Sequence, residues 1–120
     1  MRVVPAERVQ HGIRLFNERK FFECHEVLEE EWTPERGPRR LFLQSLIHIA
    51  VAFYHEERGN PVGALRQLRK GTRKLAHYLP EQEGIDTDRL LREATAALER
   101  IEAGGGAAEP PRIYWLSAWQ

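Results

Sequence analysis

The sequence predicts an all-α protein, a compact bundle of about five helices around a central buried helix at about 39–58. Three observations carry that expectation. Apolar residues recur at the three-and-four spacing of a helix face, and period-two alternation is absent, so no strand is expected. Glycine and proline punctuate the helical patterns: Pro34, Gly37 and Pro38, then Gly59-Asn60-Pro61, then Pro80 and Gly84. Finally, Leu41, Phe42, Leu43, Leu46, Ile47, Ile49, Ala50, Val51, Ala52, Phe53 and Tyr54 leave few polar positions on one helix. A helix apolar nearly all round is expected to be covered on several sides.

Each element has its own signal. Pro5 can open a first helix, with Val9, Gly12, Ile13 and Phe16 on one face, and Asn17 to Lys20 reads as a short break. A second helix is expected from about Phe21 to Trp32. Phe21, Cys24, Leu28 and Trp32 lie on its apolar face and Glu23, Glu26 and Glu30 on its solvated one. The central helix follows and stops at Gly59. A fourth helix, about Pro61 to Leu79, turns Leu65, Leu68, Thr72, Leu75 and Leu79 inward. Its outer face carries Arg66, Arg69, Lys70, Arg73, Lys74 and His77. A fifth, capped by Asp86 or Thr87, buries Leu90, Leu91, Ala94, Leu98 and Ile101, and Gly104-Gly105-Gly106 ends it.

The 120 residues suffice for one domain with its own core, divided here into a bundle at 1–106 and an aromatic tail at 107–120. The tail contains Ile113-Tyr114-Trp115-Leu116-Ser117-Ala118-Trp119. It is expected to dock on its own domain or on a second subunit, because two tryptophans left in water are costly. Basic and acidic residues balance at 18 each, so net charge selects no partner and only local patterning can. One cysteine excludes an internal disulfide. The N-terminus lacks the apolar run of a signal peptide, and no apolar stretch reaches membrane-spanning length, so a cytoplasmic location without membrane contact is expected.

Polar residues interrupt the apolar faces at a few positions. His25 falls between Phe21, Leu28 and Trp32, with Glu29 at the edge of that face beside Phe22. On the central helix Gln44, His48 and His55 share one narrow arc. If the two helices pack antiparallel, His25, Glu29, Gln44, His48 and His55 face each other across a seam. Two readings stand side by side. One is a divalent metal site on His25, Glu29, His48 and His55, since bundle metal sites use inward imidazoles and carboxylates. The other is a buried hydrogen-bonded network that fixes helix register. No HExxH motif is present. Cys24 is a candidate nucleophile only if a histidine activates it, and Ser45 lacks a nucleophile-elbow context. The basic face at Arg66, Arg69, Lys70, Arg73 and Lys74 is a candidate phosphate contact, although no aromatic residue interleaves with it.

Leu15-Phe16-Asn17, the run Phe21-Phe22-Glu23-Cys24-His25-Glu26-Val27-Leu28-Glu29, and Trp32 resemble the signature of the domain of unknown function 309 family. So do Gln44, Leu46-Ile47, Ala50, His55, Gly59-Asn60 and Gly63-Ala64. The resemblance spans roughly Val9 to Leu79. It implies a small prokaryotic helical bundle with no assigned activity. It also implies a polar cluster at His25, Glu26, Glu29, Trp32, Gln44 and His55, and more often an amide than a histidine at position 48. The leading functional expectation is a non-enzymatic binding or self-assembly module with a His/Glu network. The alternatives are a metal-dependent, hydrolase-like enzyme on His25, Glu29 and His55, and nucleic-acid binding through the basic face.

Overall fold

A computed structural model describes residues 5–105 and 109–116. Met1 to Val4, Gly106 to Ala108 and Ser117 to Gln120 lie outside the described residues. The expectations attached to them fall there too: the leader reading of the N-terminus, the last glycine of the triplet, and the docking of Trp119. Five α-helices follow in order: α1 Glu7–Asn17, α2 Phe21–Trp32, α3 Arg40–Glu57, α4 Pro61–Leu75 and α5 Thr87–Glu102. None is long and apolar enough to cross a membrane.

Phe16, Phe21, Leu28, Phe42, Leu46, Ile49, Phe53, Leu68, Leu75 and Leu90 form one continuous core. Consecutive helices pack on one another, with α3 between α2 and α4. Close approach is set by two glycines. A Cβ on Gly12 would stand 2.7 Å from Leu28 Cδ2, and one on Gly71 would stand 2.8 Å from Ile49 Cγ1. Two helix starts carry side-chain caps: the Asn60 side chain accepts from the Gly63 amide and, of the two residues expected to cap α5, Asp86 accepts from the Arg89 amide.

Three features differ from the sequence reading. First, α4 ends at Leu75 and tightens into a 3-10 turn at Ala76–Tyr78, so Leu79 emerges 39% exposed rather than inward. Second, a hairpin of two-residue strands, β1 Glu81–Gln82 and β2 Ile85–Asp86, precedes α5. Its turn places Glu83 and Gly84 at positive φ. The tail joins this hairpin: Ile85 bridges Trp115, the Asp86 amide donates to the Tyr114 carbonyl, and the Leu116 amide donates to the Gly84 carbonyl. Ile113 is buried, and Asn17 brackets its backbone with bonds of 2.9 and 2.8 Å. Strands this short have no room for an alternating pattern. Third, α3 is not covered all round. Leu41 is exposed, and Gln44, Ile47, His48, Val51, Tyr54 and His55 are half-buried along the stripe left open between α2 and α4.

Arg39 braces the start of α3. It makes a two-pronged contact with Glu83 of the hairpin turn, at 3.0 and 2.9 Å, and reaches Glu31 and Glu35 at 2.9 and 3.1 Å. These carboxylates raise its guanidinium above its ordinary range, the Glu83 hydrogen bonds most of all.

Candidate functional site

The α2–α3 turn brings two antiparallel helices together. Trp32, ending α2, lies under the Arg40 guanidinium that opens α3, 4.0 Å from the ring centroid. At the other end Phe21 of α2 meets Phe53 of α3. The first turns of α2 therefore face the last turns of α3. There Phe21, Phe22, His25, Val51, Tyr54 and His55 line a pocket of about 140 Å³.

The pocket is built from rings. His25 and Phe22 centroids lie 5.4 Å apart, Phe22 and Tyr54 5.3 Å, Tyr54 and His55 6.1 Å. Interplanar angles of 56°, 47° and 51° make the rings an arc rather than a stack. Both nitrogens of His25 are engaged: Nδ1 lies 3.2 Å from the Phe22 carbonyl and Nε2 2.9 Å from Glu29 Oε2. This i,i+4 pairing locks the imidazole against α2. His55 Nδ1 lies 3.5 Å from the Asn60 side-chain nitrogen, at the limit of a hydrogen bond. The Arg58 guanidinium stands 5.4 Å from the Tyr54 centroid.

The structure divides the expected polar seam in two. His25 and Glu29 pair on α2, and His55 joins His25 at the pocket. Gln44 and His48 face α4. Lys74 Nζ donates to Gln44 Oε1 at 2.9 Å and to His48 Nε2 at 2.8 Å, while His48 Nδ1–H donates to Gln67 Oε1 at 2.8 Å. That pattern requires the neutral Nδ1–H tautomer. Burial, and then Lys74 and Lys70, hold this imidazole below the usual histidine range, against the opposing Gln67 hydrogen bond. The pairing of His25, Glu29, His48 and His55 into one coordination sphere is not what the helices produce. Among the described residues no three His, Cys, Asp or Glu side chains are gathered as a metal would need.

Other candidates are also placed. Glu26 is exposed and lines a shallow α1–α2 groove with His11, Leu15, Glu23 and Glu30. Trp32 Nε1 is buried without a hydrogen-bond partner among the described residues. Cys24 is fully buried, and burial pushes its thiol up to about 12, so the thiolate a nucleophile requires does not form near neutrality. Ser45 spends its hydroxyl on the Phe42 carbonyl. On the basic face Arg69 pairs with Glu102 of α5 at 2.7 Å and Lys74 turns into the α3–α4 seam, leaving Arg66, Lys70 and Arg73 exposed. The sequence reading missed Phe22, Val51 and Tyr54 as pocket walls and Lys74 and Gln67 as partners of His48. The signal for Val51 was its place beside the Gln44–His55 arc, hidden by an apolar run that reads as core, whereas Tyr54 lies about 100° round the helix from His55 and gave no such signal.

A helical bundle with an aromatic, histidine-bearing pocket between its second and third helices is the class that this geometry defines. Residues 9–67 match the family model described as domain of unknown function (DUF309), and over that segment the chain belongs to this family. The chain is also 35% identical over 101 residues to the protein named "Uncharacterized protein YpuF" of Bacillus subtilis strain 168. That alignment takes in 82% of this chain and 58% of the relative. Every wall of the pocket lies inside the family segment. Lys74, the hairpin, α5 and the tail lie beyond it.

Proposed function

We propose that the protein is a binding module whose ligand seats in the α2–α3 pocket. The observation that carries this reading is the convergence of His25 and His55, from two helices, on one open cavity walled by rings. Ligand pockets are concave, mostly apolar, and furnished with a few placed polar groups. At about 140 Å³ the space suits one ring or one branched alkyl group, the size at which an apolar protein cavity takes up benzene. The thiol and hydroxyl weighed as nucleophiles, Cys24 and Ser45, are committed to packing and to the backbone and line no part of the pocket, which favours binding over covalent chemistry. Amide NMR with benzyl alcohol, neohexanol and choline as probes tests it. At least one probe is expected to shift Phe22, His25, Tyr54 and His55 together. Val51→Phe, which fills the cavity, is expected to abolish the shift with the circular dichroism of the fold retained. Three silent probes would sink the reading.

A second reading, self-association, is favoured by segregated charge. Glu23, Glu26 and Glu30 on α2 and Arg66, Lys70 and Arg73 on α4 are exposed and have no ion-pair partner among the described residues. These faces are complementary between copies, and a contact of unlike faces is heterologous. Multi-angle light scattering should show a larger mass at low salt that collapses near 0.5 M salt, a screening scale of a few ångströms. A mass that ignores salt argues against it. Nucleic acid competes for the same cations, and a salt-dependent gain of a DNA complex lost on neutralising all three would point there instead.

A further inference from the structure

Resting on that pocket reading, we infer that the pocket between α2 and α3 takes a trimethylammonium group. Ring faces carry negative electrostatic potential, and a cation enclosed by several of them is held without a formal counter-ion. Phe21, Phe22 and Tyr54 supply three benzenoid rings, and His25 and His55 close the arc. His25 does not present a free nitrogen to an incoming group, because the Phe22 carbonyl and the Glu29 carboxylate face both of them. Any positive charge on that imidazole is countered by Glu29 at 2.9 Å. The molecule already uses one of these rings in this way, since the Arg58 guanidinium stands over Tyr54.

Of the α2 carboxylates, Glu29 is the one tied to a pocket wall, through His25, whereas Glu23 and Glu26 line the α1–α2 groove. A neutral group gains no electrostatic attraction from the ring faces, and an anion is repelled by them. A hydrated ammonium of the lysine type would lose water that the ring walls do not replace. A methylated one carries its charge on an apolar surface and fits a space of about 140 Å³.

Choline and neohexanol have nearly the same shape and differ in charge. The pocket is expected to bind choline about tenfold more tightly, the order that a desolvated cation–ring contact is worth. Phe22, already 45% exposed, can be changed without disturbing the core. Phe22→Leu should bring the choline-to-neohexanol ratio close to one, and Glu29→Gln should lower it. Equal or tighter binding of neohexanol overturns the cation assignment while leaving the pocket reading intact. Binding of neither overturns the cation assignment, and silence of benzyl alcohol as well overturns the pocket reading. A short basic peptide bearing trimethyl-lysine separates the two sources of the group. If it binds more tightly than choline, the group belongs to a modified chain. If choline matches it, the ligand is a free quaternary amine.

Discussion

The imidazole of His48 is held as a neutral acceptor, with Lys74 donating to one nitrogen and Gln67 accepting from the other. Its environment disfavours the charged form, burial foremost and the lysines after it. The folded pKa therefore lies below the unfolded value of about 6.5. The unfolded chain binds this proton more readily, so stability from His48 is complete above that value and is lost as pH falls through the folded pKa. The loss between pH 7 and 5 is expected to shrink in His48→Gln, which keeps an acceptor for Lys74. Urea unfolding at the two pH values measures it, and an identical loss in both proteins would remove His48 as the cause. At this scale the sequence located the residue but not its partner. Helical spacing puts Gln44 and His48 on one arc, yet spacing does not say which neighbouring helix covers that arc. Lys74 looked like one more surface cation because its ammonium reaches inward only across a close helix pair, made possible where Gly71 carries no side chain against Ile49.

Among the elements, the tail is tied down by several side chains: Asn17 at Ile113, Arg19 at the Pro110 and Pro111 carbonyls, and Glu93 of α5 at the Arg112 amide. Asn17 sits at the end of α1 and holds the Ile113 amide and carbonyl at once. Beyond it the chain pairs with β2 and delivers the Tyr114 carbonyl to the Asp86 amide. Asn17→Ala removes both bonds and is expected to cost about 1–3 kcal/mol, from a net contribution near 1 kcal/mol for each. Hydrogen exchange should accelerate at Asp86 and Ile113 while the amides of α3 stay protected. Unchanged exchange at Asp86 would mean that Ile113 burial and the Arg19, Glu93 and Arg89 contacts secure the tail without Asn17. The helices themselves were legible, because each carries an amphipathic stripe and a glycine or proline stop. The hairpin was not, because two residues per strand leave no period to read and the bridge that joins it, at Trp115, arrives from near the far end of the chain. Thr87 illustrates the difference. It reads as a helix cap, but Asp86 caps α5 and the Thr87 hydroxyl donates to the Tyr78 carbonyl, tying the hairpin base shut.

For the whole molecule, the order of packing decides what a motif becomes. The residues shared with the family signature did not assemble into one cluster, because α3 turns its polar stripe outward between α2 and α4. One end of that stripe is covered by Lys74 and Gln67, and the other opens beside Phe22 and His25. The candidate site was therefore half visible in the sequence. His25, Glu29 and His55 stood out as polar residues among apolar ones, whereas the aromatic walls were indistinguishable from core.

The Arg39 brace gives the bundle two unlike ends. Where α2 gives way to α3, one guanidinium ties α2, the connecting loop and the hairpin turn together through Glu31, Glu35 and Glu83. About 20 Å away along α3, at a rise of 1.5 Å per residue, the same two helices meet through the rings of Phe22 and Tyr54. Beneath those rings Phe21 and Phe53 are buried against each other, so the helices are closed at both ends, by charge at one and by packing at the other, and the pocket is a notch in the rim of the packed end.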